Sequence, residues 1–335
     1  MAEHRPTGAV PAPPAAQEPA AQRVAKAVLS LLPGPAQRAV RMRRRDSRLR
    51  TVLLGELDSV LDEAAERFAR SEDDGRRFLG GLRMAPPPRP EDPFGEAYRA
   101  WVWELYGQVS GRGDYSLGHE ASPFDFEAAL ERPFPFATGS ATVVGDDLVG
   151  RGSVIKALGL AAPARIVELG PGWGNLTADL AAMGHEVTAV DVDEGFCRLI
   201  EHRAPGVRVV RGDMLSFAAA QSGAPYDAAV FYESFHHCDD HLRLLELLHA
   251  VVGPAGRVVL GAEPVDLLAY PWGPRLDGLS LWSMRRYGWL ELGFDERYFA
   301  EALRRTGWVA RKIAGPTPAA TVYVATAAPN APRVT

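Results

Sequence analysis

Cysteine and long apolar runs are what this sequence has least of. Two of its 335 residues are cysteines, Cys197 and Cys238, too few for the disulfide framework of a small secreted protein. No apolar run reaches the roughly 18–20 residues that a membrane-spanning helix needs. Pro and Ala interrupt residues 8–21, so no apolar signal-peptide segment follows a charged start. These absences predict a cytoplasmic protein with no integral membrane segment.

An excess of positive charge is also lacking. The chain has 37 Lys and Arg against 42 Asp and Glu, a net charge of −5, so no overall field attracts nucleic acid. The charge is unevenly distributed, however. Residues 23–50 contain nine Lys or Arg and one acid. This basic stretch predicts either a solvated helix with a charged end or a segment that contacts an anionic membrane or an acidic partner.

The length predicts two units, or one large domain with an appendage. Residues 1–22 are almost entirely Ala, Pro, Gln, Glu and Gly, and we predict a disordered tail because they cannot bury enough apolar surface. Residues 23–144 are predicted to form a helical region that caps the substrate site or serves assembly. Apolar spacing in this region indicates helices over 50–83 and 94–109, whereas residues 110–140 show no clear period.

Residues 145–328 alternate strand and helix patterns, with an insertion over 262–294. Successive βα units predict an α/β fold with a parallel sheet covered on both faces, and a closing pair of strands adds an antiparallel edge. The predicted helices of this part are 144–160, one that follows a glycine-rich turn and ends at about residue 183, Glu194–Arg203, His241–Val252 and Glu296–Arg305. The predicted strands are Arg165–Leu169, Glu186–Asp191, Val207–Val210, Asp227–Tyr232, Arg257–Gly261, Trp308–Ile313 and Thr321–Ala325.

The turn after the first of these strands is the most informative segment. It reads Glu-Leu-Gly-Pro-Gly-Trp-Gly-Asn and places Gly170, Gly172 and Gly174 at G-x-G-x-G spacing. Gly170 permits an unusual φ, Gly172 lets the backbone approach a ligand, and Gly174 allows tight packing of the following helix. Twenty-one residues after Gly170, Asp191 ends the second strand. A carboxylate there can accept hydrogen bonds from both hydroxyls of a ribose.

With Gly212-Asp213-Met214 after the third strand and Phe235-His236-His237 after the fourth, residues 145–326 resemble class I S-adenosylmethionine (SAM)-dependent methyltransferases. The resemblance implies a Rossmann-like methyltransferase sheet, SAM as cofactor and S-adenosylhomocysteine as product. It implies the following cofactor contacts: Gly170 and Gly172 under the methionine moiety, Glu168 near its ammonium, Asp191 on the ribose, Val192 against adenine, Asp213 on the adenine amine and Met214 beside the ring.

The fourth strand ends at a cluster of candidate catalytic residues. Ligands of an open α/β sheet lie beyond the carboxyl ends of its strands, and a hydroxyl acceptor needs a base to remove its proton. We predict His236 or His237 as this base, with Glu233 orienting one of them or contacting the methionine amine. A purely structural histidine pair is the alternative. Adjacent side chains diverge, so although Asp239, Asp240 and His241 add possible ligands, we predict no metal site.

The insertion is rich in aromatic residues interleaved with Arg. Flat aromatic rings beside Arg suit a sugar-like, aromatic or phosphate-bearing substrate, and we predict substrate contacts from Trp272, Arg275, Trp282 and Tyr287. An aromatic core shared with the N-terminal helices is the alternative. The segment 115–138 is predicted to form the other wall, with polar candidates His119, Glu120 and Asp125.

These patterns together predict a methyltransferase that uses SAM to methylate a small molecule, on a sugar-like or natural-product hydroxyl. Three alternatives stay open. An NAD-dependent oxidoreductase would need a G-x-G-x-x-G turn, which is absent, and a non-catalytic SAM-binding or partner module would give no methylated product. Nucleic-acid methylation is disfavoured because no Asn/Asp-Pro-Pro-Tyr motif follows the fourth strand and the main part of the chain is acidic. We therefore predict a small-molecule substrate and no nucleic-acid partner, and leave a homodimer open.

Overall fold

Twelve β-strands are defined in the computed structural model of the protein, which describes residues 48–121, 123–266 and 268–329. The predicted tail and nearly all of the basic stretch lie outside these residues. The strands are β1 Arg50–Thr51, β2 Leu82–Arg83, β3 Arg165–Leu169, β4 Glu186–Asp191, β5 Arg208–Arg211, β6 Ala228–Tyr232, β7 Arg257–Gly261, β8 Val265–Asp266, β9 Trp272–Pro274, β10 Leu292–Asp295, β11 Trp308–Ile313 and β12 Val322–Ala327.

Eleven α-helices are defined in the same described residues, and none of them is both long and apolar enough to cross a membrane. They are α1 Leu57–Arg70, α2 Glu72–Gly80, α3 Glu96–Ser110, α4 Phe126–Glu131, α5 Ala141–Leu158, α6 Asn175–Ala182, α7 Glu194–Arg203, α8 Met214–Ala220, α9 His241–Val252, α10 Gly278–Arg286 and α11 Glu296–Arg305.

Seven strands form the central sheet, in the order β11-β12-β7-β6-β3-β4-β5. The strands from β7 to β5 are parallel, and β12 runs antiparallel to both β7 and β11. The predicted α/β class with an antiparallel edge is therefore confirmed. Successive strands are added on one side of β3 up to β5 and on its other side from β6 onwards. Such a switch point between β3 and β6 leaves a crevice at the carboxyl ends of the strands.

The sheet is covered on both faces because side chains alternate along each strand. In β6, Val230 belongs to one buried cluster together with Val154 of α5. Its neighbour Phe231 belongs to the opposite cluster together with Leu248 of α9. The apolar runs of the strands therefore indicate burial on both faces, as expected of a parallel sheet between helical layers.

The insertion and the N-terminal helices share one core. The Tyr98 hydroxyl of α3 donates to the Trp272 carbonyl at 2.9 Å, and the Trp272 indole N–H donates to the Pro93 carbonyl at 2.8 Å. The Tyr106 hydroxyl donates to the Gly288 carbonyl at 2.5 Å. These buried hydrogen bonds join segments more than 170 residues apart in the chain, so the insertion is placed by helix α3 as well as by the sheet.

The predicted helix over 50–83 is two helices, α1 and α2. Ser71 separates them with an extended backbone (φ −165°, ψ 152°), and its side chain accepts a hydrogen bond from the Asp74 N–H at 3.1 Å. A serine that caps the second helix cannot also continue the first one. The apolar spacing of the segment hid this break.

Gly278 marks a close approach between the insertion and the N-terminal helices. A Cβ atom there would lie 2.2 Å from the Leu79 carbonyl oxygen and 3.0 Å from the Leu82 Cβ. We expect Gly278→Ala to lower the free energy of unfolding by about 1–3 kcal/mol, because backbone must move to admit the methyl group. Gly152→Ala in α5 is the control, since a Cβ there meets nothing within 4 Å, and it should gain up to about 1 kcal/mol. Urea titrations with equal midpoints for the two variants would contradict this packing.

Candidate functional site

A cavity of about 880 Å³ opens at the carboxyl ends of β3, β4 and β6. Its size is in the range of roughly 300–1,000 Å³ that is usual for small-molecule sites. The glycine turn after β3, the turn after β6, the insertion, helix α2 and the segment 117–134 all contribute to its walls. The cavity therefore lies at the topological switch point of the sheet, where a ligand is expected.

The glycine turn forms the floor of the cavity. Gly170 has φ 73°, and a Cβ there would lie 2.7 Å from the Cβ of Ser234. Gly172 has φ 49°, and a Cβ there would meet nothing within 4 Å, so its backbone faces open space. Gly174 packs against Ile200 of α7, whose Cγ1 would be 2.6 Å from a Cβ. The three glycines thus separate the roles that their spacing predicts: turn, open approach and close packing.

Two buried carboxylates flank this turn. Glu168 is 2% exposed and accepts a hydrogen bond from the Thr177 hydroxyl, and burial raises the pKa of Glu168 to about 7. Asp191 accepts hydrogen bonds from the Gly172 N–H at 3.0 Å and the Asp193 N–H at 2.9 Å, and burial raises its pKa to about 6. Because both pKa values are raised, a cationic or hydrogen-bond-donating ligand would favour the charged form of each group.

The remaining predicted cofactor residues line the same part of the cavity. Val192 and Met214 are half-buried there. Asp213 borders the cavity and also caps α8, since its Oδ1 accepts from the Ser216 N–H at 2.8 Å. Helix α8 itself was not among the predicted elements.

An aromatic cluster that the sequence analysis missed lies beside these residues. Phe124 stacks on Phe196 with ring centroids 5.0 Å apart, and Trp173 lies 5.0 Å from each of them. All three border the cavity. Trp173 stands inside the glycine turn and could have been noticed for that reason. Phe124 comes from the segment without a period, where nothing in the sequence indicates its neighbours.

His236 is held by a carboxylate from the insertion. Its Nδ1 lies 2.8 Å from Oε2 of Glu263, whose Oε1 accepts from the N–H groups of Ser234 at 3.0 Å and Phe235 at 2.9 Å. Burial alone would raise the pKa of Glu263, but the hydrogen bonds from His236 and from the backbone lower it below its usual range. Glu263 was not predicted, because it stands 27 residues beyond His236 in the chain.

His237 is in a different electrostatic environment. Its Nδ1 lies 3.0 Å from Oε2 of Glu120. Burial by itself would lower the pKa of His237, but the carboxylates of Glu120, Glu291 and Glu263 raise it to about 9. His237 is therefore cationic at neutral pH. The stabilisation from this charge is complete below the ordinary pKa of 6.5 and is lost as pH rises through about 9.

Glu233 faces the cavity and not the histidines. Its backbone is left-handed (φ 52°), and its side chain is exposed to the cavity. The cavity walls and the neighbouring carboxylates of Glu263 and Asp147 raise the pKa of Glu233 to about 7. One of the two roles predicted for Glu233 was contact with a histidine. Glu263 and Glu120 make these contacts instead, with His236 and His237.

Three groups are close enough to share a divalent cation. His236, His237 and Glu291 each offer a donor atom, and these atoms all lie within 4.8 Å of one another. The neighbouring candidates of the sequence analysis have other partners. Asp240 caps α9 through the Arg243 N–H at 3.1 Å, and Nε2 of His241 lies 2.7 Å from the Tyr298 hydroxyl.

The aromatic residues of the insertion divide between cavity and core. Arg275, Trp282 and Tyr287 border the cavity, as does Trp289, which was not predicted. Trp272 lies in the core, 3% exposed, and does not border the cavity. The alternative of an aromatic core therefore holds for Trp272, and substrate contact by the other three residues stays a prediction.

The segment 115–138 supplies one of its three polar candidates to the cavity. Glu120 borders it beside His237. His119 instead lies 3.2 Å from the Tyr106 hydroxyl through its Nδ1, and Asp125 caps α4 by accepting from the Ala128 N–H at 3.0 Å.

The sequence has relatives among known proteins. Residues 166–256 match the family model of a methyltransferase domain. Ribosomal RNA small subunit methyltransferase A of Myxococcus xanthus is 49% identical over 129 residues, which are 38% of this chain and 45% of that protein. An uncharacterized methyltransferase of Oceanobacillus iheyensis is 29% identical over 99 residues, which are 29% of this chain and 46% of that protein. The chain spans less than half the length of these two relatives.

Among solved structures, 1,6-didemethyltoxoflavin-N1-methyltransferase of Burkholderia thailandensis is 21% identical, with a TM-score of 0.44, covering 73% of this chain and 94% of that chain. The matched family segment, residues 166–256, runs from β3 to the start of β7 and includes the glycine turn, Asp191 and the histidine pair. The prediction of a methyltransferase domain is therefore confirmed over residues 166–256.

Proposed function

We propose that this protein transfers the methyl group of SAM to a hydroxyl of a small molecule, with His236 as the general base. The observation that carries this proposal is the His236–Glu263 pair. Glu263 holds Nδ1 of His236 at 2.8 Å, so the second ring nitrogen, Nε2, is left to accept a proton. His236 also borders the cavity that contains the glycine turn.

The residues around the glycine turn fit the cofactor. Open space above Gly172 admits the methionine moiety, and the buried Glu168 suits its ammonium group. Asp191 has lone pairs left for ribose hydroxyls, and Val192 and Met214 offer apolar contacts for a purine. When bound, SAM supplies a methyl group on a cationic sulfur. The chain itself binds and orients the two reactants and holds the proton.

The environment of each histidine supports His236 as the base. His237 is already cationic at neutral pH because its pKa is about 9, so it cannot accept the proton. His236 has a carboxylate on Nδ1 that stabilises the imidazolium formed when Nε2 accepts the proton. SAM held at the glycine turn would supply the methyl group that replaces this proton on the hydroxyl oxygen, and its sulfur would keep the electron pair of the carbon–sulfur bond.

A second candidate function, methylation of ribosomal RNA, is favoured by the name of the Myxococcus xanthus relative. The charges of the cavity favour a small molecule instead. Glu120, Glu233 and Glu291 border it, and its arginines are engaged: Arg76 with Glu72 at 2.6 Å and Arg275 with Asp277 at 2.9 Å. Binding a polyanion requires free cationic groups. Incubation with small-subunit RNA and, separately, with metabolite extracts distinguishes the two candidates by the product that gains a methyl group.

Cofactor binding should depend on the glycine turn and on Asp191. We expect Gly172→Val to fill the open space, and Asp191→Ala to remove the ribose acceptor, each weakening S-adenosylhomocysteine binding at least about tenfold, the effect of losing roughly 1.4 kcal/mol. Isothermal titration calorimetry measures this. Glu186→Gln, at the exposed start of β4, is the control and should bind as the native protein does. Native protein that binds neither SAM nor S-adenosylhomocysteine would refute the proposed function.

Cofactor binding should also release a proton near neutral pH. The pKa of Glu168 is about 7 in the free protein, and an ammonium group beside it favours the carboxylate. Affinity should therefore rise as pH increases from about 6 to 8, and calorimetry in buffers of different ionisation enthalpy should show proton release at pH 7. Glu168→Gln should abolish the release. A binding enthalpy that does not change with the buffer would contradict the assignment of Glu168.

The His236–Glu263 pair should affect turnover more than it affects cofactor affinity. We expect His236→Gln to lower kcat by about 10²–10⁴-fold, which is typical of losing a general base, with S-adenosylhomocysteine affinity kept. Glu263→Gln should lower it by about 10–100-fold, since a partner that orients a histidine has effects of that size. His202→Gln, a histidine exposed on α7, is the control. Full turnover in His236→Gln would show that His236 is structural.

A further inference from the structure

The two histidines after β6 lie close together in space. They belong to a 3₁₀ turn, Phe235–His237, and not to an extended strand, and their ring centroids are 4.3 Å apart. Glu291 of the insertion joins them directly before β10. The donor atoms of His236, His237 and Glu291 all lie within 4.8 Å of one another. The divergence of adjacent side chains, on which the prediction of no metal site was based, therefore does not apply in this turn.

Both histidines are oriented by carboxylates. Nδ1 of His236 lies 2.8 Å from Glu263, and Nδ1 of His237 lies 3.0 Å from Glu120. The Glu120 carboxylate also accepts from the Leu290 N–H at 2.8 Å, which ties the insertion to the histidine turn. Metal-binding histidines commonly have their second ring nitrogen on a carboxylate in this way. The pattern leaves Nε2 of each ring to coordinate an ion.

We propose that Nε2 of His236, Nε2 of His237 and a carboxylate oxygen of Glu291 bind a divalent transition-metal ion of the zinc type, and that this ion inhibits methyl transfer. Imidazole donors suit Zn²⁺, Co²⁺ and Ni²⁺, whereas Mg²⁺ and Ca²⁺ prefer oxygen donors. All three residues border the cavity, so the ion can enter from there. Inhibition follows because the ion takes the nitrogen of His236 that accepts the proton. The inhibition rests on the proposed function, whereas the metal site does not.

The spacing of the donor atoms suits a small ion. Zn–N and Zn–O bonds are about 2.0–2.2 Å long, so two ligands of one tetrahedral zinc ion lie about 3.3–3.5 Å apart. Nε2 of His236 and Oε2 of Glu291 are 3.8 Å apart, and a shift of about half an ångström brings them to that spacing. The side chain of His237 is 22% exposed, the most of the three, and has room to rotate towards the ion.

The charges around the two rings favour a divalent ion. The carboxylates of Glu120, Glu263 and Glu291 each lie within 4 Å of an imidazole nitrogen. Arg275 is 4.0 Å from Glu291 but is paired with Asp277 at 2.9 Å. Three negative charges in so enclosed a place are unfavourable unless cations compensate them. An ion with two positive charges compensates them more fully than the single proton of one histidine.

Metal titrations of the native, metal-free protein test the site without any substrate. Isothermal titration calorimetry should show Zn²⁺ binding at least about a hundredfold more tightly than Mg²⁺. Co²⁺ should give the strong visible absorption of an ion with few ligands, which the hydrated ion does not have. Zn²⁺ that binds no more tightly than Mg²⁺, or Co²⁺ that keeps the weak spectrum of the hydrated ion, would overturn the inference.

Variants locate the bound ion. His237→Gln and Glu291→Gln should each weaken Zn²⁺ binding at least about a hundredfold, and Glu120→Gln, which keeps the donors but loosens His237, by about 10–100-fold. His202→Gln on α7, which is exposed, and Glu296→Gln on α11 are matched controls and should bind Zn²⁺ as the native protein does. Urea midpoints without metal show whether a variant is folded. Native Zn²⁺ affinity in folded Glu291→Gln or His237→Gln would refute the assignment.

Zinc should inhibit turnover at the concentrations at which it binds. With labelled SAM and the acceptor that metabolite extracts yield, Zn²⁺ at ten times its Kd should lower turnover about tenfold. EDTA should restore the rate, and Mg²⁺ should leave it unchanged. Glu291→Gln should need at least about tenfold more Zn²⁺ for the same loss relative to its own metal-free rate. Unchanged or higher turnover in the presence of bound Zn²⁺ would overturn the inhibitory role.

The outcomes also separate this inference from the proposed function. If the protein binds S-adenosylhomocysteine and methylates a small molecule, but Zn²⁺ binds no more tightly than Mg²⁺, only this inference fails. If Zn²⁺ binding depends on His237 and Glu291 but neither SAM nor S-adenosylhomocysteine binds, the proposed function fails together with the inhibitory role, and the metal site stands.

Discussion

The site depends on the hydrogen bonds that the carboxylate of Glu263 accepts. This residue stands just after β7, is 7% exposed, and accepts hydrogen bonds from three consecutive backbone N–H groups, those of Ser234, Phe235 and His236, and from the His236 ring. Four donors compensate a charge whose burial alone would be strongly unfavourable. The Ser234 hydroxyl in turn donates to the Leu169 carbonyl at 2.7 Å, beside the glycine turn. One carboxylate thereby fixes the histidine turn against both the insertion and the strand that leads into the glycine turn.

Charge is divided between two adjacent histidines in a way that suits one base. The imidazole rings of His236 and His237 are 4.3 Å apart, but their neighbours differ. His237 is cationic because Glu120, Glu291 and Glu263 together raise its pKa to about 9, and its charge compensates several carboxylates at the cavity. The proposed function therefore assigns the proton transfer to the neighbouring ring of His236. Identical residue types are thus placed in different electrostatic environments by their surroundings.

Elements with strong local signals were predicted with their observed ends, among them β3, β4, β7, α7, α9 and α11. The strands contain buried apolar stretches. Each of the helices begins after a capping aspartate, such as Asp193 before α7. The failures have local causes too. The break at Ser71 was hidden by continuous apolar spacing, and α8 is a short Ala-rich helix of seven residues without a clear polar face. Trp272 was assigned to the substrate because an aromatic residue in an insertion looks the same in sequence whether it faces a cavity or a core.

By itself the sequence determined the glycine turn and the acid that follows it, which the proposed function assigns to the cofactor. Their parts are contiguous: a strand, a turn with glycines at fixed spacing, and an acid at the end of the next strand. Such signals need only backbone geometry and short-range hydrogen bonds. The histidine side of the cavity was decided by tertiary structure. Glu263, Glu120, Glu291 and Trp289 approach the histidines only when the insertion folds back over β6 and the segment 117–134 closes beside it. Contacts between distant parts of the chain depend on how whole elements pack, and no local pattern encodes which carboxylate will meet which histidine.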